Sequence, residues 1–257
     1  MHRWLNLEIL IIFLVMSIEQ PIGPYNDPKK ATAYLEANRG ASDFDGVNAN
    51  VFRYIQQILP QDLSTKVILD LGCGNGRWSE EFCKRGAPDV YAVDVSPTMI
   101  DQAKERQRLK QLTSLHVLVG DMRALPLKES SMDMVFSSFS LMYFDDATLE
   151  RIFQELKRVT KPGATLYIAT NIIASSDKDF LLSHKGEGVP VDLGFEKKMR
   201  GSNPIQLLDI YQDVIEGASF QVVEEKHFVP EGATIVPEYE HYDKVTLDKV
   251  VMIARKV

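Results

Sequence analysis

Short apolar runs alternate with amphipathic segments through the middle of the chain. The runs have the length and the β-branched and aromatic content of strands, and they are Val67–Leu71, Asp89–Val93, Leu115–Val119, Met132–Ser137 and Thr165–Ala169. Helical spacing fills the gaps between them. Leu149, Ile152, Phe153, Leu156 and Val159, for example, predict one apolar helix face. Strands that alternate with helices in this way predict an α/β fold, doubly wound, with a parallel sheet covered on both faces.

Turn and cap residues set the ends of these elements. Ser96 and Pro97 predict the start of a helix that runs through Leu109, and Gly86 predicts the end of another. Helices are also expected over 29–38, 51–59 and 204–216, and Phe220–Phe228 with Val245–Ala254 predicts a closing strand pair. The segment 171–203 is polar and rich in glycine, which is typical of a lid or binding loop or else of a disordered connection.

The length of 257 residues suits one α/β domain, which we assign to 61–257 with a lid-like insertion at 171–203. Residues 17–60 are expected to form an N-terminal arm and helix over the ligand site. The apolar leader 1–16 is too short to span a bilayer, which needs about 20 residues. An annotation artefact, a secretory signal and a membrane-surface anchor all remain open for it.

Charge and cysteine content narrow the class of partner. The net charge of −7 and the pI near 5.3 disfavour nucleic acid. Two cysteines with no metal-ligand spacing favour a reducing, cytoplasmic location and predict no metal. Secretion or membrane contact is the alternative if the leader is retained.

A glycine turn follows the first strand and carries the strongest chemical signal. Asp70 precedes Gly72, Gly74 and Gly76, and Arg77 stands where a dinucleotide-binding turn has its third glycine. Glycines allow a tight turn and close approach of a ligand to the backbone. A negative charge at this point favours a cationic or zwitterionic nucleoside over a pyrophosphate.

Two further acids end the next two strands. Asp94 is placed to accept hydrogen bonds from ribose hydroxyls, and Asp121 from an exocyclic amine, with Met99 or Met122 against the ring. A single aspartate after a strand is usually a turn or cap residue. Three at successive strand ends beside a glycine turn indicate a shared nucleoside site.

These motifs, in this order, resemble a class I S-adenosylmethionine-dependent methyltransferase of the small-molecule (type 11-like) group. They are the turn 70–76, Asp94 with 96–99, Gly120-Asp121-Met122, the strand end 136–143 and the segment 156–163. The resemblance implies a mostly parallel seven-stranded Rossmann-like sheet whose last strand is antiparallel, and a methyl transfer from S-adenosyl-L-methionine to an O, N or C nucleophile of a small molecule.

The resemblance also implies the cofactor-binding residues. Asp70 and Gly72 would lie near the amino group of the cofactor, Asp94 at its ribose, and Asp121 with Met122 at its adenine. The full expected set is Asp70, Gly72, Cys73, Gly74, Asn75, Gly76, Asp94, Val95, Met99, Asp121, Met122 and Ser137, with Tyr25 and Tyr34 from the arm.

The acceptor side is less specific. Tyr143, at the donor-facing strand end, and His184, in the long loop, are candidate catalytic residues, while packing and an exposed loop histidine are the competing interpretations. The basic run 196–200 could bind an anionic substrate or be a solvated loop. A non-catalytic methyltransferase-like protein and an NAD-dependent oxidoreductase are the alternative functions.

Overall fold

The computed structural model describes residues 27–37, 48–173, 189–190, 202–203, 208–228, 234–235 and 245–257. Six α-helices lie in these ranges: α1 (Pro28–Ala37), α2 (Ala49–Ile58), α3 (Arg77–Lys84), α4 (Pro97–Lys110), α5 (Asp146–Val159) and α6 (Leu208–Gly217). A short 3-10 helix, Leu141–Tyr143, follows the fourth strand. None of the described helices has the length and apolar content needed to cross a bilayer.

The main sheet has seven longer strands within the described ranges. They are β1 (Val67–Leu71), β2 (Asp89–Asp94), β3 (Leu115–Val119), β4 (Met132–Ser138), β5 (Thr160–Ile173), β6 (Phe220–Phe228) and β7 (Val245–Lys256). Their order is β3-β2-β1-β4-β5-β7-β6, and the two-residue strand Thr234–Ile235 pairs with the start of β7. Strands β1 to β5 are parallel, whereas β7 is antiparallel to both β5 and β6. A separate pair joins Val189–Pro190 to Ser202–Asn203.

Helices bury both faces of the sheet, as the alternation of strands and helices predicts. Along β4, Met134 and Phe136 join a core cluster with α2 and α3, while Val135 joins a cluster with α5 and α6. Successive strand residues point to opposite faces, so a strand buried on both sides is apolar at nearly every position. The predicted α/β fold with an antiparallel closing strand is therefore confirmed.

Local capping agrees with the sequence signals. Ser96 Oγ accepts a hydrogen bond from the Met99 backbone N–H at 3.4 Å, and Pro97 is the first residue of α4. The Asp145 carboxylate caps α5 by accepting from the Thr148 N–H at 2.9 Å. These contacts hold the two helices in place next to the carboxyl ends of β2 and β4.

The fifth strand is longer than the sequence predicts. Its expected end at Ala169 is wrong, because β5 continues to Ile173 and pairs with β7 up to the Ile173–Leu247 position. Asn171 and Ile172 are buried strand residues. The predicted start of the insertion at residue 171 is consequently wrong, and the connection begins after Ile173.

Candidate functional site

The glycine turn lies between β1 and α3, at the carboxyl end of the sheet. Gly72, Gly74 and Gly76 have φ values of +71°, +54° and +78°, a region that favours glycine. A Cβ built on Gly72 would stand 2.4 Å from the Ser140 Cβ, which no real side chain tolerates. A Cβ on Gly74 would meet no atom within 4 Å. The turn is thus closely packed at Gly72 and open at Gly74.

Two side chains brace this turn from α3 and α4. Arg106 Nε donates to the Asn75 carbonyl at 3.0 Å, and its Nη1 donates to Glu80 Oε2 at 2.7 Å. Burial alone would raise the pKa of the Glu80 carboxyl, but ion pairs with Lys84 and Arg106 bring that pKa below its usual value. Glu80 is therefore charged, and Arg106 ties the turn to both helices.

Asp70 lies beneath the turn with only 2% of its surface exposed. Its carboxylate accepts a 2.5 Å hydrogen bond from Ser79 Oγ, in the first turn of α3. Burial raises the pKa of Asp70 to about 7, Ser79 opposes this effect, and the negative charge of Asp94 adds to it. Asp70 therefore changes its charge close to neutral pH.

Asp94 ends β2 and connects the turn to the next loop. Its Oδ2 accepts from the Gly74 N–H and its Oδ1 from the Ser96 N–H, both at 2.9 Å. Burial raises the pKa of Asp94, while these backbone donors favour the charged form. A carboxylate has about four acceptor positions, so two donors leave capacity for a ligand.

Asp121, after β3, is held by a neighbouring cation. Arg123 contacts both carboxylate oxygens, with Nε at 3.0 and 3.1 Å and Nη2 at 2.9 Å. The two side chains are only 12% (Arg123) and 9% (Asp121) exposed. Asp121 is therefore fixed in orientation by a bidentate pair.

The remaining predicted cofactor residues line the same edge of the sheet. Met99 and Met122 are buried, the Met122 Cε lies 3.1 Å from the ideal Cβ position on Gly72, and Val95 packs against the core. Cys73 is buried in the core cluster with α2 and α3, and burial raises the pKa of its thiol well above the usual value. Ser137 Oγ is 2.7 Å from Ser140 Oγ, which donates to the Leu71 carbonyl at 3.0 Å.

The remaining predicted site residues are described to different extents. Tyr143 lies half-buried in the 3-10 helix that follows β4. Tyr34 belongs to α1, but its side chain is outside the described part of the structure. Tyr25, His184, the leader and the basic run 196–200 also lie outside the described residues, so their roles stay predictions.

Sequence reasoning missed the residues that support the site. Ser79, Arg106, Arg123 and Ser140 act on the turn or on the acids through contacts that depend on tertiary packing. Arg123, two residues after Asp121, offered a local signal. Arg106 offered none, since it is 31 residues from its partner Asn75.

A family model for a methyltransferase domain matches residues 68–163, which run from β1 to the start of β5. This is the segment that holds the glycine turn, Asp94 and Asp121. This segment of the chain is similar to a methyltransferase domain. The match agrees with the predicted resemblance, and it covers the carboxyl edge of the sheet described above.

Curated relatives match part of this chain and extend beyond the match. The chain is 38% identical over 103 residues to malonyl-[acyl-carrier protein] O-methyltransferase of Serratia marcescens, across 40% of this chain and 37% of that protein. It is 38% identical over 113 residues to magnesium-protoporphyrin O-methyltransferase of Rhodobacter capsulatus, across 43% of this chain and 48% of that protein. The matches thus span less than half the length of these two relatives.

Solved structures share the fold over most of the chain. The crystal structure of the [4+2]-cyclase SpnF matches the methyltransferase domain and its flanking elements with a TM-score of 0.65 at 14% identity. The match covers 92% of this chain and 97% of that chain. At this identity the likeness shows the architecture alone.

Proposed function

We propose that the protein is an S-adenosylmethionine-dependent methyltransferase that acts on a small molecule. The observation that carries the proposal is the contact between Asp94 and the open glycine turn, Gly74 N–H to Asp94 Oδ2 at 2.9 Å. It brings an acidic strand end and a backbone with free space into one site, which is the arrangement that binds a nucleoside at the carboxyl edge of a sheet.

The residues present fit this cofactor. An ideal Cβ on Gly74 has no contact within 4 Å among the described residues, so a ligand can approach the main chain at this point. Asp94 keeps acceptor capacity for hydroxyl groups, and Asp70 is a buried acid that a nearby cation would stabilise in its charged form. When bound, S-adenosylmethionine supplies a methyl group on a positively charged sulfur.

We propose a role for each of these residues. Asp94 would bind the ribose, and Asp121, oriented by Arg123, would accept from the adenine amine. Met122 and Met99 would pack on the ring, and Asp70 would balance the positive charge of the methionine part. The backbone of the turn would contact the same part of the cofactor.

We further propose an oxygen nucleophile on the acceptor, because two matched relatives are named as O-methyltransferases. Aligning a nucleophile with the methyl group supplies much of the rate, so a dedicated base is optional. Tyr143 and His184 remain the candidate residues if a proton must be moved.

The N-terminal arm and the connection after Ile173 would close over the acceptor. The proposed cellular compartment is the cytoplasm.

A second function is a methyltransferase-like protein that does not transfer methyl groups. The shared architecture with a [4+2]-cyclase supports this alternative, because the fold alone does not determine which reaction a protein catalyses. The family match counts against the oxidoreductase alternative.

Isothermal titration with S-adenosylhomocysteine tests the proposal first. The wild-type protein should bind it, and Asp94→Ala should weaken binding by about 1–3 kcal/mol, because a desolvated hydrogen-bond acceptor is lost. Asp89→Ala is the matched control, since Asp89 starts the same strand at the opposite edge of the sheet and contacts His116. Absent binding in the wild type, or equal effects of the two variants, would contradict the proposal.

A further inference from the structure

Asn171 is a buried polar residue near the end of β5 that the cofactor site does not use. Its side chain is 5% exposed, and its Nδ2 donates to the Met142 Sδ at 3.2 Å. Its Oδ1 has no hydrogen-bond partner among the described residues. The amide nitrogen of Asn171 therefore donates to a weak sulfur acceptor, while the amide oxygen accepts from no donor among the described residues.

An oxygen in this state needs an explanation. More than about 90% of buried polar groups in native proteins are paired, and leaving one unpaired is costly. Asn171 stands on a strand next to a site that must admit a second substrate. A ligand that donates a hydrogen bond is the simplest group to complete it.

Short contacts connect Asn171 to the glycine turn. Ser140 packs against Gly72, and Met142, two residues further along, contacts Asn171. Phe139, between β4 and the 3-10 helix, has a φ of +54°, and its N–H donates to the Ala169 carbonyl at 2.7 Å. Non-glycine residues adopt this left-handed conformation only uncommonly, so the surrounding structure holds the Phe139 backbone in place.

A cation lies beside Asn171 on the same face of the sheet. Lys249 of β7 is the antiparallel partner of Asn171, and directly opposite residues have Cβ atoms about 4.5–5.5 Å apart. Lys249 is half-buried, and burial lowers the pKa of its ammonium group. An anion bound beside Lys249 would favour the charged form and oppose this shift.

An aromatic ring continues this surface on the next strand. Phe228 of β6 is the partner of Lys249, and the Tyr54 ring from α2 lies 5.5 Å from the Phe228 ring. Across the three strands, the amide of Asn171, the ammonium group of Lys249 and the ring of Phe228 therefore occupy neighbouring positions. This sequence of groups matches a small organic anion with an apolar body and a hydrogen-bond donor.

We propose that Asn171 is a specificity-determining residue of the methyl-acceptor site. Its side-chain oxygen accepts a hydrogen bond from a hydroxyl or amino group of a small organic anion, and Lys249 supplies the matching positive charge. This inference rests on the proposed function, because only a methyltransferase has an acceptor to recognise.

Thermal unfolding tests the role of Asn171 without knowledge of the acceptor. Asn171→Leu, which keeps the branched shape and the number of side-chain heavy atoms, should melt at or above the wild-type temperature, because it removes an oxygen that the fold leaves unpaired. Thr170→Val is the matched control on the same strand. Its hydroxyl is buried and bonded to Tyr211 at 3.1 Å, so this variant should melt about 2–4 °C lower. A loss for Asn171→Leu as large as that of Thr170→Val would make the amide structural and overturn the proposal.

Binding of matched small molecules tests the chemistry. The probes are 2-, 3- and 4-hydroxybenzoate, with benzoate lacking the donor and 4-hydroxybenzamide lacking the charge. Saturation-transfer NMR in the presence of S-adenosylhomocysteine should show at least one hydroxybenzoate binding ten-fold more tightly than both controls. Asn171→Leu should weaken that binding at least ten-fold, and Lys249→Met should remove the preference for the anion over the amide.

The affinity for S-adenosylhomocysteine distinguishes a failure of the acceptor-site proposal from a failure of the methyltransferase proposal. Wild-type protein that binds it but prefers no hydroxybenzoate, or an Asn171→Leu variant with unchanged hydroxybenzoate binding, overturns the acceptor proposal alone. Asn171→Leu should alter S-adenosylhomocysteine affinity less than two-fold. Wild-type protein that fails to bind S-adenosylhomocysteine contradicts the methyltransferase function itself.

Discussion

The charge of Asp70 should make cofactor binding depend on pH around neutrality. Burial raises the pKa of this carboxyl to about 7 in the ligand-free protein, against an ordinary value of about 3.9. Asp70 is therefore mostly protonated at pH 6 and mostly ionised at pH 8. A positively charged group bound nearby would favour the ionised form and lower the pKa.

The expected size follows from the ionisation that binding requires. One pH unit below the pKa, ionising the carboxyl costs about 1.4 kcal/mol, which is a factor of about ten in affinity. The Kd of S-adenosylhomocysteine, whose amino group is positively charged, should thus be about ten-fold weaker at pH 6 than at pH 8. Binding at pH 6 should release close to one proton.

Isothermal titration at pH 6, 7 and 8, in two buffers of different ionisation enthalpy, measures both quantities. Asp70→Asn is the control, because its amide oxygen still accepts from Ser79 but cannot ionise. The pKa of Asp94 is also raised, so any pH dependence left in Asp70→Asn reports Asp94. Equal wild-type affinity at pH 6 and 8, without proton release, would refute the assignment of Asp70.

The same raised pKa affects folding in a defined direction. The native state holds the Asp70 proton up to about pH 7, whereas the unfolded chain loses it near pH 4. The native state binds more protons in this window, so the contribution of Asp70 to stability falls as pH rises from about 4 to 7. Asp70→Asn should be more stable than wild type at pH 8, by at most on the order of 4 kcal/mol, and should converge with it near pH 4.

Three further substitutions test the packing of the site. Gly72→Ala should lower the melting temperature and abolish S-adenosylhomocysteine binding, because its Cβ meets Ser140 at 2.4 Å; Gly163→Ala, with φ +75° and no atom within 4 Å of its Cβ, should cost only about 1 kcal/mol in urea unfolding. Arg106→Met should weaken S-adenosylhomocysteine several-fold in titration, because the turn loses its brace; unchanged affinity would remove that role. Arg123→Met should destabilise by about 3 kcal/mol, and adding Asp121→Asn should restore most of it, because a buried carboxylate is then no longer unpaired. Urea unfolding of both proteins would contradict this if the double variant were no more stable than the single one.

Most of the sheet could be predicted because its signals are local. The bounds of β1 and β3 agree with the sequence prediction, and Ser96 and Pro97 marked the start of α4. The end of β5 could not be predicted in the same way. Its last residues are strand because β7, far along the chain, supplies their partners, as Lys249 does for Asn171.

In the candidate site, too, local features could be predicted from the sequence and tertiary contacts could not. The positions of Asp94 and Asp121 at the carboxyl edge of the sheet could be predicted, because Asp94 ends β2 and Asp121 follows the end of β3 by two residues. What the sequence did not reveal is how those acids are held. The pairing of Asp121 with Arg123 and the raised pKa of Asp70 both depend on burial, which only the assembled fold determines.

The proposed cofactor site and the proposed acceptor site differ in how far the family match covers them. The turn and its acids lie within the matched methyltransferase domain, whereas Asn171 and Lys249 lie beyond the end of that match at residue 163. The same architecture also occurs in a [4+2]-cyclase, so the shared part of the fold cannot by itself select a reaction. The proposed acceptor residues are at the end of β5 and on its partner β7, outside the segment that the family model matches. They adjoin the turn through Met142, and one buried oxygen there is left for a ligand to complete.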